Sequence, residues 1–296
     1  MPKEITAEYV WQQIPRRARQ SHKGSFGTAL LVAGSARYRG AACLAAEGAL
    51  RTGAGIVTLA SVEPVLAAVT ARLPECCLLP CEPGAGGGIA ECNVERILQQ
   101  KASVLLVGPG LGYGAGRSAE TGALVRRLLP GFWGSAVLDA DGLNAAAALL
   151  AAGRPLPRPA GELVLTPHPG EMARLTGLTA AEIAADRAGV AMRFARAWES
   201  VVVLKGAGTV VAGPDGACLV NPTGNPGLAR GGSGDTLAGM ITALLACGLP
   251  AFAAAACGVW LHGAAADRAA ALRGEYGMLP QDLFPALGQL FAENGR

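Results

Sequence analysis

The sequence predicts an α/β protein: a single-domain, doubly wound, mostly parallel sheet with helices on both faces and an antiparallel edge hairpin. Three observations carry this expectation. Apolar runs of strand length alternate with helix-length segments from residue 28 to residue 166. The runs are continuous rather than alternating, as expected of strands covered on both faces. Strand–helix–strand repetition requires parallel pairing with right-handed crossovers.

The elements follow in order. Thr28 to Gly34 (TALLVAG) is the first strand, and Gly40 to Thr52 reads as a helix stopped by Gly53. Ile56 to Ser61, Ser103 to Gly108 and Ala136 to Asp139 read as strands, with a helix over Ser118 to Leu129. Leu163 to Thr166 and Val201 to Lys205 continue the series, separated by one long helix over Thr179 to Glu199. The pattern then changes. TVVAG and ACLVN flank Pro214-Asp215-Gly216, which is turn chemistry, so a hairpin is expected at the sheet edge. Gly234 to Gly248 and Ala251 to Leu272 read as two closing helices. No linker or fixed-period repeat divides the chain, and residues 1–296 are expected to form one domain.

Composition narrows the function classes. Of 296 residues, 51% are hydrophobic and 16% charged, which supplies a sizeable core and argues against disorder. The net charge is +3, with scattered Lys and Arg and no basic stripe, so no nucleic-acid partner is expected. Ala251 to Ala266 is apolar but falls short of the roughly 20 residues a membrane span needs, so no membrane is expected either. Among the eight Cys, Cys76, Cys77, Cys81 and Cys92 lack the paired Cys-x-x-Cys spacing of a zinc site, and Cys43, Cys218, Cys247 and Cys257 lie in apolar runs. Met1 to Gln20 carry charges and no apolar leader core. The thiols are therefore read as reduced and the compartment as cytoplasmic.

Ligands of open parallel sheets sit beyond the carboxyl ends of the strands. The richest glycine segment in such a position is Asn221 to Gly239, NPTGNPGLARGGSGDTLAG. Glycine lets the backbone approach an anion closely, and a helix starting near Gly234 aims free N–H groups and its positive dipole end at that anion. Asp235 in the first turn could take the proton from a hydroxyl that attacks phosphorus. The helix dipole alone also favours a carboxylate there, so the position by itself leaves both readings open.

Three further loops leave strands. In Gly108-Pro109-Gly110-Leu111-Gly112, residues Gly110, Gly112 and Ala115 match the loose dinucleotide fingerprint, with Asp139 ending the next strand, and this keeps a nicotinamide dehydrogenase open. Thr166-Pro167-His168-Pro169-Gly170-Glu171 holds His168 rigidly between prolines, where it can meet a ligand or lie on the surface. Lys205-Gly206-Ala207-Gly208-Thr209 offers a cation and backbone donors to a nucleotide, or is a turn into the hairpin. No Walker A sequence is present.

Together the motifs SHKGSFGTALLVAGS, GAACLAAEGALRTGAG, VGPGLG, LDADGLN, TPHPGE, VVLKGAGT, NPTGNPGLARGGSGDTLAG and LHGAAAD run from Ser21 to Leu279. In this order the set resembles the ribokinase-like superfamily, and within it the bacterial ADP-dependent (S)-NAD(P)H-hydrate dehydratases. The resemblance implies repair of NADH hydrate and NADPH hydrate: ADP, or ATP, with Mg2+, phosphorylates the ring hydroxyl, and phosphate then leaves. It implies Asp235 as the base and Gly232, Ser233 and Gly234 as the anion hole. Lys205, Gly206, Ala207, Gly208, Thr209 and Gly234 become the adenine-nucleotide site. Ala41, Gly110, His168 and Asp235 become the hydrate contacts, and Glu171 and Asn144 members of the metal and phosphate shell. It further implies a homotetramer and a separate NAD(P)H-hydrate epimerase as working partner. About 20 residues precede the first motif, so no epimerase domain is expected in the chain. Arg230, before the double glycine, could add charge compensation for the phosphate. A vitamin-precursor kinase of the same superfamily shares the glycine-rich hole and its Asp and remains the alternative. Intact Asp235 argues against a nucleotide sensor without turnover.

Overall fold

The computed structural model describes residues 2–114 and 118–296. Ala115, the last position of the dinucleotide fingerprint, lies outside them. The strands are β1 (Lys3–Glu4), β2 (Thr28–Val32), β3 (Ile56–Ser61), β4 (Cys77–Pro80), β5 (Val104–Val107), β6 (Ser135–Leu138), β7 (Leu163–Leu165), β8 (Val201–Leu204), β9 (Val210–Ala212) and β10 (Cys218–Val220). They form one ten-stranded sheet in the order β1-β10-β9-β8-β7-β6-β5-β2-β3-β4. From β8 to β4 every pairing is parallel. β9 runs antiparallel to both β8 and β10. Nearly every side chain of β2, β5, β6, β7 and β8 is buried, as their continuous apolar runs require.

The order in which strands are added reverses between β5 and β2, which pairs in parallel with both β5 and β3. The chain travels one way from β2 to β3 and the other way from β5 through β6 to β7. Right-handed crossovers then place the intervening helices on opposite faces, and the gap between β2 and β5 is the switch point where such sheets bind ligands.

The fold departs from the sequence expectation in four places. The hairpin does not form the edge. Half-buried β10 still offers its outer backbone groups, and β1 takes them in parallel register, Lys3 opposite Leu219 and Glu4 opposite Val220. The expected long helix over Thr179 to Glu199 is two helices, Ala180–Ala185 and Arg187–Ala197. Asp186 breaks it by leaving helical geometry (φ −148, ψ 73) and accepting the Gly189 N–H at 2.8 Å as the cap of the second helix. The TPHPGE loop is in fact the start of a helix, Pro169–Thr176, capped by His168. β6, β7 and β8 each stop one residue earlier than expected, so Asp139, Thr166 and Lys205 are the first residues beyond them.

The helix behind the glycine-rich segment, Ser233–Ala246, packs tightly on the Arg39–Thr52 helix. A Cβ on Gly239 would stand 2.1 Å from the Ala45 carbonyl oxygen, and one on Gly48 would stand 2.6 Å from that of Thr236. Backbone-to-backbone contact of this kind fixes the depth at which the Ser233 end of the helix sits. Gly239→Ala is therefore expected to destabilise the fold by about 1–3 kcal/mol, the usual cost of overpacking. Gly288→Ala, at an exposed helical glycine with nothing within 4 Å of a new Cβ, is expected to stabilise it by about 0.5–1 kcal/mol. Urea unfolding of both variants checks the contrast; equal effects would show that the contact does not constrain the helix.

Candidate active site

The carboxyl ends of β8, β7, β6, β5 and β2 lie side by side, and the segments that follow them carry Ala41, Gly110, Asn144, His168, Glu171 and Lys205 to Thr209, while Gly232 to Asp235 arrive on the segment after β10. At the switch point, Ser35 Oγ donates to the Gly110 carbonyl at 2.8 Å and the Gly34 N–H to that of Pro109 at 2.7 Å. Gly110 has φ +63, and a Cβ there would stand 2.8 Å from Ala41 Cβ. The two expected hydrate contacts are thus brought together, and the glycine makes the close approach possible.

Next in the sheet comes Asp139, 1% exposed. Its Oδ1 accepts from Thr166 Oγ1 at 2.7 Å and from Lys205 Nζ at 2.8 Å. Ala140 then takes φ +48, a strained conformation for a residue with a Cβ. Asp141 follows and accepts the Gly112 N–H at 2.8 Å. Asn144, one turn further along, donates to Asp141 at 3.4 Å and accepts from Arg174 Nε at 2.8 Å.

His168 caps its helix by accepting the Gly170 N–H at Nδ1 (3.0 Å), so the neutral ring carries its proton on Nε2, which faces Glu171 Oε1 at 3.4 Å. Burial, then the Lys205 and Arg174 charges, pull the His168 pKa below its ordinary value. Glu171, 5% exposed, accepts the His168 backbone N–H at 2.8 Å. Burial raises its pKa to about 6 against the opposing pull of Lys205.

The Ser233–Ala246 helix meets this row with its N-terminus. Gly232 is its cap, at φ +96, and the Thr236 N–H and hydroxyl both close on the Gly232 carbonyl at 3.1 Å. The N–H groups of Gly234 and Asp235 have no partner among the described residues. A Cβ on Gly234 would stand 3.3 Å from Lys205 Nζ, so free N–H groups and an ammonium share one opening. An anion placed there would meet both. Asp235 stands in the first turn, its pKa raised to about 7 by burial and by the Asp139 carboxylate, with Lys205 opposing and Asp141 and Glu171 adding to the rise. A base with a pKa near 7 can accept a proton at physiological pH and release it again.

Beyond β8, Gly206 (φ +146) and Gly208 (φ +64) bend an exposed loop, and Thr209 Oγ1 both donates to the Gly206 carbonyl (2.9 Å) and accepts its N–H (3.2 Å). Lys205, grouped with this loop in the sequence, turns its side chain away from it into the carboxylate cluster. Glu171 and Asn144 face different neighbours. Among the described residues no group of three or more His, Cys, Asp and Glu could hold a metal ion alone. Asp141 was not singled out from the sequence, and Asp139 was read only as the acid that ends the strand after a dinucleotide fingerprint. The signal was present: two carboxylates directly beyond a buried strand, in LDADGLN.

Free helix N–H groups beside a near-neutral carboxylate suit phosphoryl transfer, and the fold that carries them is ribokinase-like. A ribokinase-like superfamily protein from Enterococcus faecalis shares it with a TM-score of 0.83 at 26% identity, covering 99% of this chain and 96% of that one. The particular branch follows from sequence: the chain belongs to the NAD(P)H-hydrate dehydratase family, whose profile matches residues 29–288. It is 44% identical to an ADP-dependent (S)-NAD(P)H-hydrate dehydratase of Neisseria meningitidis over 85% of this chain and 80% of that protein. It is 45% identical to a bifunctional NAD(P)H-hydrate repair enzyme, Nnr, of Moorella thermoacetica over 96% of this chain. The chain spans about half the length of the bifunctional relatives it matches. An ADP/ATP-dependent NAD(P)H-hydrate dehydratase from Bacillus subtilis, co-crystallised with ATP/Mg2+, aligns with a TM-score of 0.86 at 34% identity, covering 99% of both chains.

The raised pKa of Asp235 makes a stability prediction. Its folded value of about 7 lies above the unfolded value of 3.8. The ionised carboxylate therefore costs stability, with none of that cost below pH 4 and all of it above pH 7. Asp235→Asn is expected to raise the unfolding temperature at pH 8, with the gain shrinking as pH falls toward 4. A gain independent of pH, or a loss, would mean that the carboxylate is not held in this environment.

Proposed function

We propose that this chain uses ADP to return the S-forms of NADH hydrate and NADPH hydrate to NADH and NADPH. One observation carries the reading most: the Asp235 carboxylate, with a pKa near 7, stands in the first turn of a helix whose Gly234 and Asp235 N–H groups are free. Hydroxide is a poor leaving group. Asp235 takes the proton of the ring hydroxyl while its oxygen attacks the terminal phosphorus of ADP, and the bond to the bridging oxygen of AMP breaks. Phosphate then leaves the ring carbon as the ring loses a proton, and the carbon–carbon double bond returns. The balance is ADP to AMP and phosphate, with one hydrate dehydrated.

The anion hole over Gly232, Ser233 and Gly234 holds the phosphoryl group in flight through the free N–H groups of Gly234 and the adjoining Asp235, the Ser233 N–H being held by the Arg230 carbonyl at 3.3 Å, and Lys205 lies beside it to offset its charge. The loop from Lys205 to Thr209 takes the adenine nucleotide through its backbone donors. Ala41, Gly110 and His168 line the hydrate subsite, where neutral His168 fits an uncharged ring. Mg2+ forms few all-protein cages and binds through one or two carboxylates together with phosphate oxygens. That fits a site where buried Glu171 and half-buried Asn144 are too few to hold it alone; when bound, the ion would supply charge neutralisation of the phosphates. ATP is the second donor to consider.

No helix among the described residues is long and apolar enough to cross a membrane. We read the protein as cytoplasmic, residues 1–296 as one catalytic domain assembling as a homotetramer, and a separate epimerase as its partner. The bifunctional relatives, about twice as long, leave room for that second activity in one chain.

Purified protein with NADH hydrate and Mg2+ is expected to restore the reduced-nicotinamide absorbance only when ADP or ATP is added. Asp235→Asn is expected to bind ADP and lose about 10²–10⁴-fold in turnover, the usual contribution of a general base. A stable phosphorylated product, or no recovery from protein that binds ADP, would favour the small-molecule kinase; equal activity in the variant would remove Asp235 from its role.

A further inference from the structure

The exposed loop after β8 owes its shape to a residue outside the site. Arg187 opens the Arg187–Ala197 helix, immediately after the Asp186 break. Its guanidinium donates to the carbonyls of Leu204 (3.0 Å), Lys205 (3.2 Å) and Ala207. These are the last residue of β8 and two residues of the loop beyond it. A Cβ on Gly206 would stand 2.9 Å from one guanidinium nitrogen, so the loop backbone rests directly on the arginine. Arg187 Nε is buried without a partner, so its fork is spent on carbonyls alone.

In a planar trans peptide the C=O and N–H point in opposite directions. Drawing the Ala207 carbonyl onto Arg187 therefore turns the Gly208 N–H away from the arginine. Thr209 Oγ1 holds the Gly206 carbonyl, which frees the Ala207 N–H in the same way. Neither N–H has a partner among the described residues, and both residues are exposed. The loop is a pair of donors displayed outward by an arginine and a threonine behind it.

We infer that Arg187 is a positioning residue for the nucleotide: it holds the Lys205–Thr209 loop with its donors turned outward, and so sets affinity for ADP without touching it. The inference rests on the proposed assignment of this loop to the nucleotide. Only the flat five-donor fork reaches three carbonyls at once; a lysine offers a point charge.

The test compares wild type, Arg187→Met and Arg187→Lys with NADH hydrate, Mg2+ and varied ADP, and measures ADP binding by calorimetry. Arg187→Met is expected to raise the KM and Kd for ADP by about tenfold or more, the worth of one hydrogen bond to a charged group. The kcat at saturating ADP and the KM for the hydrate are expected to hold, and Arg187→Lys to fall between. Gly206→Ala approaches the same contact from the loop side and is expected to weaken ADP in the same way, which keeps the test open should Arg187→Met fail to fold. Unchanged ADP affinity in folded Arg187→Met would overturn the inference, as would a loss confined to kcat or to the hydrate. A wild type that never depends on ADP would instead overturn the proposed function itself.

Discussion

Lys205 Nζ and Asp139 Oδ1 meet at 2.8 Å although their strands, β8 and β6, are not neighbours. The pair reaches across the end of β7, where Thr166, the first residue beyond it, donates its hydroxyl to the same carboxylate oxygen. Burial works against the Lys205 charge, yet the carboxylates of Asp139, Glu171 and Asp235 outweigh it and hold the ammonium protonated. The consequence runs outward. With Asp139 paired and buried, two more carboxylates in the same opening cannot both ionise freely, and Asp235 and Glu171 titrate near 7 and 6. A cluster of this kind is expensive unless each charge has a partner, and its position beyond the strand ends marks it as a site of chemistry rather than of stability.

The glycines around the cluster act through distance rather than flexibility. Gly239 and Gly48 let two helices touch backbone to backbone, which sets Gly234 beside Lys205 Nζ. Gly110 lets the loop after β5 lie against Ala41. Gly108 does the same one strand over, where a Cβ would stand 1.8 Å from the Asp139 carbonyl oxygen. Three approaches that a methyl group would block thus gather the anion hole, the carboxylates and the switch point into one opening.

Much of this was legible in the residues. Continuous runs such as VLLV at Val104–Val107 and VVVL at Val201–Leu204 announce buried parallel strands by themselves. GGSGD announces a helix N-terminus with a carboxylate in its first turn. The Asp186 break was not read, because alanines dominate AAEIAADRAGVAM and outweigh its two weak helix formers, Asp186 and Gly189; the interruption is tied to Arg187 bonding a loop about 20 residues later in the chain. β1 was equally hidden, since two polar residues become a strand only against β10. Lys205 was read as a nucleotide contact from its place in KGAGT, but its side chain answers to Asp139, 66 positions earlier. Pairings of that range leave no local pattern.

The claim on which the rest depends is that this cluster holds the Asp235 proton near neutrality. Carboxyl carbon NMR of aspartate-labelled protein, titrated in wild type and Lys205→Met with Asp235→Asn to assign the signal, measures it directly. A midpoint near 7 is expected for Asp235 in the wild type, moving higher once the opposing charge of Lys205 is gone. A midpoint near 4, or one that ignores Lys205, would contradict it.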